Sequence, residues 1–417
     1  MNKMTANSEK IKNLLEKIHA GLDLEEAKKI FQEELGSVSA SELAQAEDSL
    51  IEAGMPIEEL QNLCDVHASV VDKSVEDIHN ELEKSHPLHL FHLENKAFEN
   101  HIKHNLQVSA QKYFKNPEDK SRKFLLQDLK KLKALFLHYD RKENLIFPFL
   151  EEKSITSIPQ VMWGVDDEIR QSLKDIFVLV EKSDHSEEDL KKIQGSLPNF
   201  VSQVKSMISK EEDILSPLLK ENLDLSHWLQ IAKESKIYPI QMLDSNPYAQ
   251  IQEQEKWIKE NESKLSQLED KKEDRVVQVG AAKSNLSFTL HFPTGTLNLE
   301  ELESIFSTFP MEVTFTDKED KVRYFSQHDK MVFPRPLSSL GRDVMLCHPP
   351  KAQPVVRQLL NDFRTGAKDQ EVRWLKKGNN LLLIRYLAVR DYEKNYIGCL
   401  ELVEDLKAIP GIEDFFS

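Results

Sequence analysis

The sequence predicts a multidomain chain: an all-α N-terminal domain, an antiparallel four-helix bundle and, behind them, an α+β domain. Two observations divide it. Five of the 12 glycines precede residue 279 and seven fall in the last 138 of 417 residues, and helix interiors tolerate glycine poorly. That last stretch also holds β-branched and aromatic clusters, EVTF, VRYF and LLLIRYLAVR, whereas the front carries helical periodicity. A third observation points to chemistry. Seven of the 14 histidines, His67, His79, His86, His89, His92, His101 and His104, lie within 38 residues.

Residues 1–80 read as a small helical domain, with short amphipathic helices broken at Gly21, Gly36 and Gly54 and with Ser39 or Ser41 placed as a cap. Residues 81–235 form the bundle. Its four periodic segments are 87–112, 121–147, 159–182 and 189–221, and their loops carry Asn116-Pro117, Ser157 to Pro159 and Ser183 to Ser186. Residues 236–285 are a linker with a charged connector helix over 250–275, whose sparse apolar positions Ile251, Trp257, Ile258, Leu265 and Leu268 suit pairing in a homodimer. Residues 286–410 begin with a helix over 297–309. Strands at 311–317 and 321–325, two helical stretches and three closing antiparallel strands follow.

Composition limits the partners. Lys+Arg 55 against Asp+Glu 71 leaves a net charge of −16, so no large basic surface exists to neutralise phosphates and nucleic acid is excluded as a direct partner. No apolar run approaches the roughly 18 residues that span a bilayer, and the start MNKMTANSEKIKN lacks the apolar core of a signal peptide. A cytoplasmic location without an integral membrane segment is expected. Three cysteines, Cys64, Cys347 and Cys399, make no paired spacing and fit a reducing compartment.

Imidazole is the commonest metal ligand, so a histidine cluster on a bundle helix raises a metal hypothesis. At about 100° per residue, Leu90, Leu93, Ala97, Phe98, Ile102 and Leu106 define an arc with Glu94 and His101 near its middle. His86 and His104 fall at its edge, and His89 and His92 project to the polar side, with His86 and His89 near the helix start where either can turn in. On the second helix Leu132, Leu135, Tyr139 and Ile146 face inward, with His138 and Glu143 on opposite shoulders. Asp166 on the third helix and Glu211 on the fourth are bracketed by apolar residues. Each helix thus offers a carboxylate to the interior, and burying four unpaired carboxylates is prohibitive unless they are protonated, paired or metal-bound. Two divalent or trivalent ions would satisfy them all. The alternative is a bundle wet at one end, where these acids face water.

These residues resemble the hemerythrin-like, HHE cation-binding family. The matching pieces are His86-Pro87-Leu88-His89, His138 to Pro148 with Glu143 inside it, Asp166-Asp167-Glu168-Ile169-Arg170, and Met207 to Pro217 with Glu211 inside it. Lys142, Asp166 and Met207 stand where the family has glutamate, histidine and histidine. The resemblance implies a bundle holding a non-haem di-iron or manganese site, with His86, His89, Glu94, His101, His138, Glu143, Asp166 and Glu211 as candidate ligands. Oxygen donors shift it toward harder metals or a metal-free state.

Residues 63–68, with Cys64 and His67 one helical turn apart, look like the uncharacterised helical domain that precedes such bundles in many bacterial proteins. That pair either shares a ligand role or packs. The order of elements after residue 297 is similar to a PAS domain, a module for small ligands, redox state or dimerisation. His348, beside Cys347, and His328 are the residues to name for haem or another ligand, with packing before Pro349-Pro350 as the alternative.

The expected function is a bacterial sensory or regulatory protein whose metal pair responds to oxygen, nitric oxide or another small oxidant. No kinase, cyclase or DNA-binding output is visible in the sequence, so the response leaves through an unknown protein partner or the metal itself. The rivals are a di-metal oxidoreductase that disposes of peroxide or nitric oxide, or donates iron for cluster repair, with Tyr139 near the metal, and a metal-free scaffold.

Overall fold

A computed structural model describes residues 39–57, 81–182, 185–243, 247–270, 289–292, 294–327, 331–378 and 380–409, with scattered positions at residue 60 and before residue 39. Contacts divide the chain into two units, Met1–Gln267 and Leu268–Ser417. Among the described residues no helix is long and apolar enough to cross a membrane.

In the first unit α1 (Ala40–Glu52) starts at a capping box, where Ser39 accepts from the Glu42 N–H and the Glu42 carboxylate accepts from the Ser39 N–H. Four long helical runs follow. The first joins α2 (Pro87–His101), a π-helical turn (Ile102–Leu106) and α3 (Gln107–Lys115). The second joins α4 (Asp119–Lys131), α5 (Ala134–Arg141), a π turn (Lys142–Ile146) and α6 (Phe147–Glu151). The third is α7 (Ser157–Glu181). The fourth joins α8 (Glu187–Lys210), a π turn (Glu211–Leu215) and α9 (Ser216–Asn222). The bundle core contains the arcs read from periodicity: Phe98, Ile102 and Leu106, then Leu135, Tyr139 and Ile146, then Ile169, Leu173 and Ile176, then Val204 and Leu215, all buried.

Two further helices follow, α10 (Leu225–Glu234) in the same unit and α11 (Pro247–Asp270), which lies in it as far as Gln267. Three residues of the apolar stripe of α11, which the sequence offered as a dimer seam, pack within the chain, while Ile251 is exposed. Trp257 is buried with its ring 5.4 Å from that of His86, and Ile258 and Leu265 pack on the bundle core.

The second unit pairs β1 (Thr289–Phe292) with β2 (Gly295–Asn298), leads through α12 (Leu299–Thr308), and contains a five-stranded antiparallel sheet. Its strands are β3 (Glu312–Asp317), β4 (Val322–Phe325), β5 (Gln370–Lys377), β6 (Asn380–Arg390) and β7 (Tyr396–Asp405), in the order β4-β3-β7-β6-β5. α13 (Gln353–Thr365) lays Leu359, Leu360 and Phe363 on Cys399, and Gly366, at φ +77°, ends it in the left-handed conformation. Gly398 passes so close to the Phe315 ring and the Thr316 carbonyl that a Cβ there would strike both. Cys347 and Cys399 are free thiols.

Candidate functional site

Helices two and four repeat one pattern. His138, Lys142, Glu143 and Pro148 on the second correspond in spacing to Met207, Glu211, Glu212 and Pro217 on the fourth. Each proline lacks the N–H that would bond the carbonyl four residues back, and its ring crowds that carbonyl. A widened turn precedes each one, with the Phe147 N–H reaching the Lys142 carbonyl and the Ser216 N–H reaching the Glu211 carbonyl. Lys142 and Glu211 therefore occupy equivalent places, each opening a π turn, and they pair with each other.

The Lys142 ammonium donates to Asp166 Oδ1 at 2.9 Å and to Glu211 Oε1. Glu211 Oε2 lies 3.2 Å from His138 Nε2, and across the ring Nδ1 lies 2.8 Å from Glu94 Oε2. Arg141 donates to Glu94 at 2.5 Å and, through Nε, to the Tyr238 carbonyl at 2.8 Å. The Gln241 backbone N–H donates to the other Glu94 oxygen at 2.5 Å, so the segment after α10 closes this end. None of these six side chains is more than 4% exposed. Phe91 stacks on His138 at 4.3 Å and Phe98 meets its edge at 5.5 Å.

A second cluster stands beside the first. Arg170 forks onto Glu143 at 2.7 and 2.9 Å and reaches Asp140 at 2.9 Å. The Tyr139 ring separates the clusters, with Lys142 Nζ 4.5 Å and Arg170 Cζ 5.4 Å from its centroid. Its hydroxyl and Asp166 Oδ2 are buried without hydrogen bonds among the described residues.

Each charge in this set has an opposite partner: the carboxyl groups of Glu94, Glu143, Asp166 and Glu211 face Arg141, Lys142, Arg170 and a protonated His138, and Arg170 is shared with Asp140 and Asp167. Burial outweighs Arg170 and pushes Glu143 well above the usual carboxylate range. Burial pulls the His138 ring down, but the Glu211 and Glu94 carboxylates outweigh it and hold its pKa above the ordinary value. Lys142 follows the same logic: burial lowers it, while Asp166 and Glu211 more than restore it and keep it an ammonium. Against its own burial Glu211 is held low by Lys142 and His138. Asp166 shares one ammonium and has no histidine, so burial pushes it up to about 6 despite Lys142 and Arg170.

Glu94 sets the acid limit. Burial raises it, Arg141 and His138 overcome that, and its pKa falls to about 2 from 4.5. A depressed carboxylate contributes stability that is present above its unfolded pKa and lost as pH falls through the folded value, here on the order of 3 kcal/mol. Denaturant unfolding between pH 5 and 2 is expected to lose that amount in the wild type. Glu94→Gln is expected to lack this part of the acid limb. A wild-type stability flat over that window would rule out the Glu94 assignment. His138 has the opposite sign: its contribution is complete below the ordinary imidazole pKa and fades as pH rises through the elevated one.

An iron or manganese pair needs imidazole and carboxylate lone pairs open to it. Both His138 nitrogens already face carboxylates, and Lys142 Nζ is bonded to both Asp166 and Glu211. A divalent ion about 4 Å from that ammonium would meet roughly 8 kcal/mol of repulsion at an effective dielectric of about 20. Among the described residues no group of three or more His, Cys, Asp or Glu side chains is disposed to hold a metal ion. These residues do not fit a di-iron or manganese pair.

Of the candidate ligands, the structure brings together Glu94, His138, Asp166 and Glu211, with Glu143 one ring away. His86 caps α2 instead, its Nδ1 accepting from the Leu88 N–H at 3.1 Å, and its ring lies 4.7 Å from that of Trp228. The His89 ring lies 6.4 Å from that of His92, which bonds Glu212 at 2.7 Å. His101 is buried but donates to the Asp128 carbonyl of α4 at 3.0 Å. In the second unit His348 Nδ1 donates to the Val344 carbonyl at 2.7 Å. Cys64, His67 and His328 lie outside the described residues.

Missed from sequence were the roles of Arg141, Lys142 and Arg170 and the segment Tyr238 to Gln241. Helical spacing carries a signal for three of them: Arg141 and Lys142 are three and four residues from His138, and Arg170 is four from Asp166.

Comparison with known proteins agrees with this layout. Residues 11–77 match a family of unknown function (DUF438), residues 86–219 the hemerythrin HHE cation-binding domain, and residues 302–407 a PAS domain. No curated protein matches the chain. Among solved structures, a C-terminal domain from Streptococcus mutans is 33% identical over 29% of this chain and 95% of its own, with a TM-score of 0.28. A sensory box sensor histidine kinase from Vibrio cholerae is 5% identical over 25% of this chain and 88% of its own, with a TM-score of 0.20. HHE cation-binding and PAS domains are, in general terms, the modules of a metal-binding sensory protein. The chain thus carries a DUF438 domain, a hemerythrin HHE cation-binding domain and a PAS domain, in that order.

Proposed function

We propose that the chain is a sensory or regulatory protein rather than a turnover enzyme. Its PAS domain takes a small-ligand or redox input, and its bundle is a closed module that responds through a protein partner. The observation that carries this is the bundle centre. Glu94, His138, Lys142, Glu143, Asp166 and Glu211 are each at most 2% exposed and each is matched by an opposite charge, so no acid, base or nucleophile there meets a substrate. The test is consumption of hydrogen peroxide and of nitric oxide by the full chain. No steady turnover above buffer is expected, and sustained turnover that Lys142→Met or His138→Ala abolishes would replace this reading with the oxidoreductase.

The family match favours a second reading, a non-haem iron or manganese centre answering oxygen, nitric oxide or oxidants. It has the gathering of Glu94, His138, Asp166 and Glu211 behind it and the Lys142 ammonium against it. A haem on His348 would leave Nε2 as its ligand atom, since Nδ1 is engaged by Val344. A Soret band lost in His348→Ala is the test of that.

A further inference from the structure

We propose that Lys142 is a tethered cation standing in for a bound metal ion, so that this HHE bundle folds without metal, and that a divalent-cation site lies latent beneath it. The repeat carries the first half. At the place where helix four supplies the Glu211 carboxylate, helix two supplies an ammonium, and the two are joined directly in the interior. Two equivalent places in the repeat are thus filled by a carboxylate and its counter-ion. The ammonium sits as an ion would, between Asp166 and Glu211 and against the Tyr139 face, with no exposure.

The unmet groups carry the second half. Asp166 is fully buried, and its Oδ2 makes no hydrogen bond among the described residues. Among the described residues the Glu211 carboxylate bonds only Lys142 and His138. Removing the ammonium leaves the Asp166 and Glu211 carboxylates facing one vacated position, a pair of oxygen donors suited to a hard divalent ion such as Mn(II). This proposal is independent of the sensory reading, since turnover decides that one and metal content decides this one.

The experiment uses the full chain, untagged and purified without chelator. Metal content is measured by inductively coupled plasma mass spectrometry as isolated and after anaerobic incubation with Fe(II) or Mn(II) and desalting. Thermal melts are recorded with and without Mn(II). The wild type is expected to carry substoichiometric metal throughout and to melt at one temperature in all conditions. Lys142→Met is expected to melt lower, to retain about one Mn(II) per chain, and to recover part of the lost melting temperature when Mn(II) is present. Stoichiometric metal in the wild type, with a lower melting temperature once it is stripped, would overturn the tethered cation. A folded Lys142→Met that retains no metal would overturn the latent site. Lys142→Gln, which keeps a polar group in the pocket, serves the same comparison if the methionine variant does not fold.

Discussion

Lys142→Met is expected to cost about 3 to 5 kcal/mol of unfolding free energy. The substitution keeps most of the side-chain volume and deletes the charge, leaving Asp166 and Glu211 buried with nothing between them. Losing one partner of a buried ion pair costs far more than losing both, because the remaining charge keeps its desolvation penalty. Adding Asp166→Asn and Glu211→Gln to the methionine variant is therefore expected to recover much of the loss. Urea unfolding of the single and triple variants measures it. A single-variant loss below about 1 kcal/mol, the range of exposed pairs, would place Lys142 outside the network.

Arg141→Met is the second large effect, again about 3 to 5 kcal/mol. It strips Glu94 of its strongest partner and the Tyr238 carbonyl of its donor. A local consequence follows. The segment Tyr238 to Gln241 is held on the bundle by that carbonyl and by the Gln241 N–H on Glu94, so its release is expected to speed proteolysis there before global unfolding. Limited proteolysis with mass spectrometry of the fragments tests it. Cleavage as slow as in the wild type would mean that this segment is fixed by other contacts.

Glycine distribution and helical periodicity gave enough to assign the fold, since the bundle arcs at Phe98, Tyr139, Ile169 and Val204 are buried as the 3.6-residue period requires. The inward carboxylates Glu94, Asp166 and Glu211 were legible for the same reason. Desolvation then demanded positive charge among them, and the sequence offered two sources, metal ions or long basic side chains. Periodicity gives the direction of a Cβ and not the reach of a lysine or arginine beyond it, so Lys142 registered only as a departure from a motif. Tyr238 and Gln241 were invisible because they reach Arg141 and Glu94 from 97 and 147 residues away with no periodic pattern. The π turns at Lys142 and Glu211 were equally silent, although the prolines behind them, Pro148 and Pro217, were in plain view.

Pairing of the buried carboxyl groups by the chain's own side chains rests on Lys142 being a buried ammonium at neutral pH. Nitrogen-15 correlation of lysine Nζ groups observes that ammonium directly. One Nζ resonance protected from solvent exchange, still charged at about pH 10 where ordinary lysines begin to titrate, and absent from Lys142→Met, is the predicted result. A Lys142 Nζ that exchanges as fast as the surface lysines, or that loses its proton below that pH, would contradict it.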